Sequence, residues 1–396
     1  MTIHAALNEF LESTRARRED TYIWFHQHPE LAFQEHETSG RIADELRRLG
    51  VDPIAVGQTG QVGVVRNGEG PTVLMRADFD GLPVAEESGK PYAADVELGR
   101  MHACGHDFHV TWLLAATEFL STHRDLWKGT FIALFQPAEE IGQGALDMVN
   151  SGLIDAIPAP EVAFSQHVFA DVPGGHVAAC AGPAMSATAN TRVTILGRGG
   201  HGSMPHTTID PVVIAGHIIT RLQTIVAREL APGEFGVVTI GAVHGGENAN
   251  VIADSVRLEI NTRAYNDAVH AKIWAAIDRI VRAECAAAGC EREPIIDRWT
   301  EVPVTDNDAA VTAQVMGSFR EVFGERAGEF TPSTGSEDFS HIPNAWGIPY
   351  CYWGVGGFAA SDAPSNHSPQ FAPDLHPTLD LGTQAIVAGV APWLTQ

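Results

Sequence analysis

Apolar runs of strand length alternate with segments of helical periodicity along the first part of the chain. In the helical segments, apolar residues recur three or four positions apart and the opposite face is charged. These segments are 6–26, 36–49, 109–123 and 144–151, and the strand-like runs are 63–66, 72–76, 129–136 and 162–168. Alternation of this kind predicts an α/β domain with helices and a mostly parallel sheet.

The pattern changes near Pro183. From there, β-branched and polar residues alternate, which is typical of strands with one exposed face. The predicted strands are 186–196, 236–243 and 255–264, and the predicted helices are 210–229 and 267–288. This order favours a compact α+β domain with an antiparallel sheet and two helices.

After about Arg298 the α/β pattern returns, with predicted helices 308–323 and 378–393 and a buried strand at 347–353. We therefore predict one discontinuous α/β domain made of residues 1–183 and 298–396. Residues 184–297 would form a satellite domain inserted into it.

The composition argues against several classes of function. The chain has 49 acidic and 25 basic residues, and its formal net charge of −24 disfavours binding to nucleic acid or to anionic membranes. It has no run of about 18 apolar residues, and its first residues lack the apolar core of a secretory signal. The five cysteines include no CxxC pair, which fits a reducing compartment. We therefore expect a cytoplasmic protein that binds neither nucleic acid nor membranes.

Histidine is abundant, with 18 copies, and three of them lie in the short segment 101–109. The same segment contains Cys104 and Asp107. Gly105 would let the chain bend so that Cys104 and His106 face one point, and thiolate and imidazole are strong zinc ligands. The alternative is a helix N-terminus capped by Asp107, with histidines that merely lie on its surface.

Two acidic residues, Glu139 and Glu140, follow the predicted strand 129–136. Strand ends are where α/β proteins place their sites, and neighbouring side chains on extended backbone point to opposite sides. One carboxylate could bind a metal while the other acts as a general base, although paired acids in a loop are often merely solvated. A further candidate ligand is His167, at the end of the next strand, whereas His367 lies in a Gly-, Ser- and Pro-rich loop, where a lone histidine is usually structurally neutral.

Taken together, these motifs resemble those of the aminoacylase/hippurate hydrolase family of dinuclear metallopeptidases. The resemblance follows the family's order along nearly the whole chain and is strongest for its N-acyl-amino-acid amidohydrolases, in particular the N-α-acyl-glutamine aminoacylases. The segments that carry it are 76–83 (RADFDGLP), 102–107 (HACGHD), 136–140 (QPAEE), 199–206 (GGHGSMPH), 335–339 (GSEDF) and 366–369 (NHSP), with 24–30 (WFHQHPE) and 261–264 (NTRA) supporting the closer likeness.

The resemblance implies a metal centre in the discontinuous domain, which would be the catalytic one. Cys104 would bridge two divalent metal ions, and the terminal ligands would be His106, Glu140, His167 and His367. The thiolate favours zinc, with manganese, cobalt and nickel as alternatives.

The resemblance also implies that Glu139 is the catalytic base and that Asp78 is an acidic residue supporting the metal ligands. In the satellite domain, His201 would stabilise the oxyanion, often across a dimer interface. The residues expected to contact the substrate are Asn250, Arg263, Gly335 and Ser336, with Arg263 holding its carboxylate.

The function so implied is hydrolysis of N-acyl-L-amino acids, N-acyl-glutamine among them, by a metal-activated water. The alternatives are a dipeptidase or carboxypeptidase, a hydrolase of hippurate or indole-acetyl-amino-acid conjugates, and a metal-binding protein without activity. A homodimer or tetramer through the satellite domain is also implied. Ile141 and Ala253 depart from the family pattern, and Asn366 stands where an apolar residue is commoner, which concerns the shape of the substrate site.

Overall fold

The computed structural model describes residues 2–360 and 362–395. The chain divides into two compact units. The first contains the residues up to Ala184, Thr305–Pro332 and the residues from Asp338 onward, and the second contains Met185–Val304 and Ser333–Glu337. The first unit is therefore discontinuous in sequence.

Strands and helices occur along the whole described chain. The strands are β1 (Pro53–Val56), β2 (Gly60–Asn67), β3 (Thr72–Asp78), β4 (Gly129–Gln136), β5 (Val162–Pro173), β6 (Val177–Ala179), β7 (Gly182–Met185), β8 (Ala187–Leu196), β9 (Gly200–His201), β10 (Gly236–His244), β11 (Val251–Ile252), β12 (Ser255–Ala264), β13 (Ile295–Val302), β14 (Thr305–Asn307), β15 (Ala327–Glu329) and β16 (Tyr350–Phe358). The helices are α1 (Ile3–Gln27), α2 (His36–Arg48), α3 (His106–Thr122), α4 (Gly144–Asn150), α5 (Leu153–Ala156), α6 (Pro211–Thr224), α7 (Asp267–Ala287), α8 (Ala309–Phe323), α9 (His341–Trp346) and α10 (Leu375–Leu394). Within the described residues, none of these helices has both the length and the apolar character needed to cross a membrane.

The first unit is built on one sheet with the strand order β1-β2-β4-β3-β5-β16-β6-β15. Its central strands β4, β3, β5 and β16 run parallel, whereas β1 and β2 add antiparallel pairs at one side. Strand β4 is apolar and almost entirely buried, as expected for a parallel strand covered on both faces. The predicted α/β fold with a mostly parallel sheet is confirmed.

Helices α3 and α10 pack closely against each other in this unit. Trp112 of α3 is fully buried, and its indole N–H donates to the carbonyl oxygen of Thr378 at 3.0 Å. Gly382 of α10 lies so near this indole that a Cβ atom would come within 2.1 Å of the ring. Because Gly382 has no side chain, α10 can pack directly against the indole ring of α3. The first turn of α3 belongs to the candidate site.

The second unit contains an antiparallel sheet with the order β10-β12-β8-β13, packed against α6 and α7. The core between them is aliphatic and includes Ile218, Leu222, Leu258 and Ile277. The predicted antiparallel sheet with two helices is confirmed.

The edge strand β13 was not predicted, and the expected domain boundary at 297/298 falls inside it. Its side chains are alternately exposed and half-buried, with Ile295 and Trp299 among the exposed ones. An edge strand of this kind lacks the buried apolar face that makes a strand recognisable. The division between the units lies after Val304 instead.

Candidate active site

The predicted metal ligands lie in the first unit, on segments associated with its parallel strands. Asp78 ends β3, Glu139 and Glu140 follow β4, and His167 lies in β5. Because β4, β3 and β5 are neighbours in the sheet, these segments lie side by side. Side chains at the carboxyl ends of parallel strands meet at one edge of a sheet.

Cys104 and His106 reach the same region through the start of α3. Gly105 lies between them, has a left-handed φ of 84° and caps the N-terminus of the helix. A Cβ atom at this position would lie 2.3 Å from Cγ1 of Val168. The bend between the two candidate ligands therefore depends on glycine.

Neighbouring polar groups indicate which nitrogen of His167 and of His106 is available to a metal. His167 Nδ1 donates to the carbonyl oxygen of Val168 at 2.7 Å, and its Nε2 lies 3.3 Å from Cys104 Sγ. His106 Nδ1 lies 3.2 Å from Asp80 Oδ1 without making a hydrogen bond to it, and its Nε2 faces the carboxylates of Glu139 and Glu140 at 3.9 Å. A partner on the second ring nitrogen is the usual arrangement of a metal-binding histidine.

Glu140 joins these donors to His367. Its Oε2 lies 3.3 Å from His367 Nε2, and its Oε1 lies 3.9 Å from His106 Nε2. The ligand atoms of Cys104, His106 and Glu140 all lie within 4.8 Å of one another. The structure thus brings all five predicted ligands together, and we refer to Cys104, His106, Glu140, His167 and His367 as the metal cluster.

The donor atoms of the metal cluster fit divalent transition-metal ions. Both ring nitrogens of His106 and Oε1 of Glu140 are among the buried side-chain atoms of the described residues that have no hydrogen-bond partner. Buried polar atoms are normally satisfied, so a missing partner at this place indicates a ligand. Sulfur, nitrogen and carboxylate oxygen are the donors that zinc and related ions take in proteins.

The charges in and around the metal cluster also favour a cation. Burial, reinforced by the charge of Glu140, raises the pKa of the Cys104 thiol well above its usual value. Burial likewise raises the pKa of Glu140 to about 7. Burial alone would lower the pKa of His106, but the carboxylates of Asp78 and Asp80 outweigh it and raise that pKa well above its usual value. A divalent cation would displace the protons that such groups hold.

Carboxylates from elsewhere in the unit hold the turn that carries the two glutamates. The backbone N–H groups of Glu139 and Glu140 donate to the two oxygens of Asp80, at 3.1 and 3.0 Å. Ala138 has a left-handed φ of 50°, and its N–H donates to Glu35 Oε1 at 2.9 Å. An alanine in this backbone region is strained, so the hydrogen bonds of its surroundings must hold it there. They set the direction in which Glu139 and Glu140 leave the backbone.

Two of these supporting residues were missed by sequence reasoning. Asp80 lies in the motif 76–83, but only Asp78 of that motif was given a role. Glu35 is fully buried and accepts a further hydrogen bond from Thr59 Oγ1 at 2.8 Å. Its partners are distant in sequence, so no local pattern marks it.

Asp78 lies next to the metal cluster and binds side chains that surround it. It accepts hydrogen bonds from Arg76 Nη1, at 2.6 Å, and from His109 Nδ1. The backbone N–H of Val168 donates to the other nitrogen of His109 at 2.9 Å, so both nitrogens of that ring are engaged. Burial would raise the pKa of Asp78, but Arg76 and the nearby histidines outweigh it and hold that pKa well below its usual range. Asp78 is therefore an ionised anchor for its neighbours.

The remaining predicted residues lie in the second unit, where His201 is exposed. His201 belongs to β9, which pairs with β11, and the carbonyl oxygen of Asn250 accepts the N–H of Gly202 at 2.8 Å. The backbone N–H of Ser203 donates to His201 Nδ1 at 3.1 Å. Because a backbone N–H can only donate, the proton of the neutral ring is on Nε2. His201 thus presents the kind of donor that an oxyanion needs.

Arg263, Gly335 and Ser336 form another group in the second unit. Arg263 Nη1 donates to the carbonyl oxygen of Thr334 at 2.7 Å and to Ser336 Oγ at 3.3 Å. The carbonyl oxygen of Gly335 accepts the N–H of Ser186 at 2.8 Å. The structure therefore brings these three predicted substrate contacts together.

The chain matches a known protein family over most of its length. Residues 74–388 fit the model described as Peptidase family M20/M25/M40. The chain belongs to this family. It is 35% identical over 375 residues to an IAA-amino acid hydrolase of Arabidopsis thaliana, with 90% of this chain and 83% of that protein covered.

Two further comparisons agree with this membership. The chain is 34% identical over 339 residues to an N-acetyl-L-cysteine deacetylase of Bacillus subtilis, with 84% of this chain and 79% of that protein covered. Among solved structures it is similar to a dinuclear metal-binding peptidase of the M20 family from Bacillus subtilis, with a TM-score of 0.80 and 27% identity. That similarity covers 96% of this chain and 98% of the other. The predicted family and enzyme class are confirmed: this member of the family is a hydrolase of amide bonds with a candidate metal site.

Proposed function

We propose that the chain is an aminoacylase-type, metal-dependent amidohydrolase that cleaves N-acyl-L-amino acids to a carboxylic acid and a free amino acid. The observation that carries this proposal is the metal cluster beside Glu139, whose Oε2 lies 3.9 Å from His106 Nε2. Two relatives, named as an N-acetyl-L-cysteine deacetylase and an IAA-amino acid hydrolase, support an acylated amino acid as the substrate. N-acyl-glutamine is one candidate within this class.

The metal cluster would hold two divalent ions, zinc by preference because one donor is a thiolate, and their charge would acidify a water molecule. In this proposal Glu139 takes the proton of that water and returns it to the nitrogen of the leaving amino acid. Asp80 accepts the backbone N–H of Glu139 at 3.1 Å and so holds the turn from which this side chain extends.

The second unit would supply the contacts to the substrate. His201, with its proton on Nε2, would donate to the oxyanion that develops on the carbonyl oxygen. Arg263 would pair with the carboxylate of the amino-acid half through Nη2, because its Nε and Nη1 already donate to groups of the same unit. Asn250 and the backbone near Gly335 and Ser336 would complete these contacts. Assembly as a homodimer or tetramer through this unit is part of the same proposal.

A substrate panel and a metal analysis on one preparation would test the proposal. The panel contains N-acetyl-amino acids, N-acetyl-glutamine, hippurate, indole-acetyl-amino acids and free dipeptides. Each is measured after chelator treatment and after reconstitution with zinc, manganese, cobalt or nickel. We expect hydrolysis of the N-acylated compounds that is lost with the chelator and restored by metal. Dipeptides should be poor substrates, because burying a free ammonium in an acyl pocket is costly without a partner.

Two results would contradict this proposal in different ways. Cleavage confined to free dipeptides would assign a dipeptidase on the same fold. Hydrolysis that persists after the bound metal has been removed, as measured on the same sample, would overturn the metal-dependent mechanism.

A further inference from the structure

The side chain of Asn366 contacts the metal cluster without being one of its predicted ligands. Its Nδ2 donates to Cys104 Sγ at 3.7 Å and to the carbonyl oxygen of Val168 at 3.1 Å. An amide NH₂ group carries two hydrogens, so it can serve both acceptors at once. We propose that Asn366 is a positioning residue whose N–H···S hydrogen bond sets how strongly the Cys104 thiolate binds metal.

The second hydrogen bond of Asn366 leads to another member of the metal cluster. The carbonyl oxygen of Val168 accepts Asn366 Nδ2 and also accepts His167 Nδ1, the latter at 2.7 Å. A carbonyl oxygen has two lone pairs and can accept both bonds. Asn366 therefore steadies the acceptor that selects Nε2 of His167 as the metal-facing nitrogen.

The backbone next to Asn366 provides a third connection. His367 has a left-handed φ of 69°, and its N–H donates to the carbonyl oxygen of Ala103 at 2.8 Å. Its side chain is 55% exposed, so packing alone does not hold the ring. The bonds made by Asn366 and by the backbone of His367 together determine where this ligand is held against Glu140.

The side-chain amide of Asn366 matters because it provides an N–H donor to the sulfur of Cys104. An N–H donor withdraws electron density from a thiolate, so the sulfur becomes a weaker electron donor but a better stabilised anion. In a buried site such a bond is stronger than in water. An apolar residue at this position could make neither of the two hydrogen bonds.

Cobalt(II) provides a direct readout, because a cobalt–thiolate bond gives a charge-transfer absorption band in the near ultraviolet. The inference rests on the proposed metal cluster and is independent of which amide is cleaved. We would load wild type, Asn366→Leu and Gln370→Ala with cobalt and record this band, and measure metal affinity by competition with a chelator. Gln370 is the matched control, since it lies in the same loop and its side-chain amide donates to Glu87 Oε2 at 2.8 Å.

We expect Asn366→Leu to shift the band to longer wavelength, because loss of the N–H donor raises the energy of the sulfur lone pairs. Metal affinity should nevertheless fall about 10- to 100-fold, because the thiolate loses a bond that stabilises it as an anion and the carbonyl oxygen that holds His167 loses its second donor. Gln370→Ala should keep the wild-type band and affinity. Asn366→Ala makes the same test with a smaller side chain and replaces Asn366→Leu if that variant does not fold.

The possible failures can be distinguished. If the band and affinity in the Asn366 variants equal those of wild type, the inference is wrong while the metal cluster stands. A wild-type protein that binds cobalt without a sulfur band would overturn both the role of Cys104 and this inference. Absence of hydrolysis on every substrate, together with the expected band shift, would overturn the proposed function and leave the inference supported.

Discussion

The two units differ in how far their candidate functional residues are buried. In the first unit Cys104, His106 and His167 are buried and His367 is exposed, whereas those of the second unit are exposed or half-buried. In the first unit, Cys104 and His106 are 7% and 0% exposed and are surrounded by hydrogen-bonded carboxylates and histidines. In the second unit, His201 is exposed and Arg263 is half-buried. Metal ligands need fixed positions and a supporting environment, whereas groups that meet a substrate must be accessible to it. The first unit therefore holds donors suited to a metal in supported positions, whereas the second offers hydrogen-bond donors that solvent can reach.

Substitution of Glu139 should reduce activity most, and it distinguishes proton transfer from metal binding within the first unit. Glu139→Gln removes the proposed base but preserves its shape and its backbone hydrogen bond to Asp80. We expect kcat to fall by about 10³-fold, the scale of general acid–base catalysis, with metal content unchanged. Steady-state kinetics and metal analysis on one sample measure both quantities.

The neighbouring glutamate is the matched control for this prediction. Glu140→Gln should reduce the metal content, because it weakens a donor of the metal cluster. Near-normal kcat in Glu139→Gln would show that the assignment of the base is wrong.

The next effect tests whether the exposed donor of the second unit takes part in the reaction. His201→Ala should lower kcat by about 10²- to 10³-fold, as expected for loss of one oxyanion donor, without loss of metal. His217→Ala replaces another exposed histidine of the same unit and should have wild-type kinetics. Equal kcat values for the two variants would remove His201 from the mechanism and restrict the chemistry to the first unit.

A smaller effect concerns the buried charges of the first unit and depends on pH. Burial alone would lower the pKa of His26, but hydrogen bonds with Asp107 and Glu86 outweigh it and raise that pKa to about 9. An unfolded histidine has a pKa of about 6.5, so protonated His26 stabilises the fold fully below that pH. This contribution is lost as pH rises through about 9. We expect the free energy of unfolding to fall by about 2 kcal/mol between pH 7 and pH 9, measured by urea unfolding.

Two variants test whether His26 causes this pH dependence. His26→Gln should remove most of the loss between pH 7 and pH 9. His28→Gln is the control, because His28 Nδ1 bonds to the carbonyl oxygen of Trp24, which does not titrate. A His26→Gln protein with the wild-type pH dependence would refute the assignment of the effect to His26.

Parts of the fold with a single clear pattern could be predicted from the sequence. Strands β4 and β12 have the predicted bounds, since an apolar run and a regular alternation respectively define them. Strand β16 was expected at 347–353 but spans Tyr350–Phe358. The prediction ended too early because the glycines of this strand are typical of a loop. At Gly356 a Cβ atom would lie 1.9 Å from the carbonyl oxygen of Pro173, so the glycine serves strand packing.

Within the candidate site, the ligand types could be predicted but their supports could not. Cys104 and His106 were marked by their spacing around Gly105, and the resemblance added His367 from a distant loop. Asp80 and Glu35 act through backbone N–H groups that lie far away in sequence. Hydrogen bonds of this kind depend on the tertiary fold and leave no periodic signal.

The position of β16 has a consequence for the order in which the protein can be completed. This strand lies between β5 and β6, yet it is synthesised only after the whole second unit has been made. Until β16 has been synthesised, β5 and β6 each have an unpaired edge. Unpaired strand edges are prone to pair with other chains. His367 is made later still, so the metal cluster is complete only when nearly all of the chain has emerged. All five predicted ligands would then be available to metal only after both segments of the discontinuous unit have been synthesised.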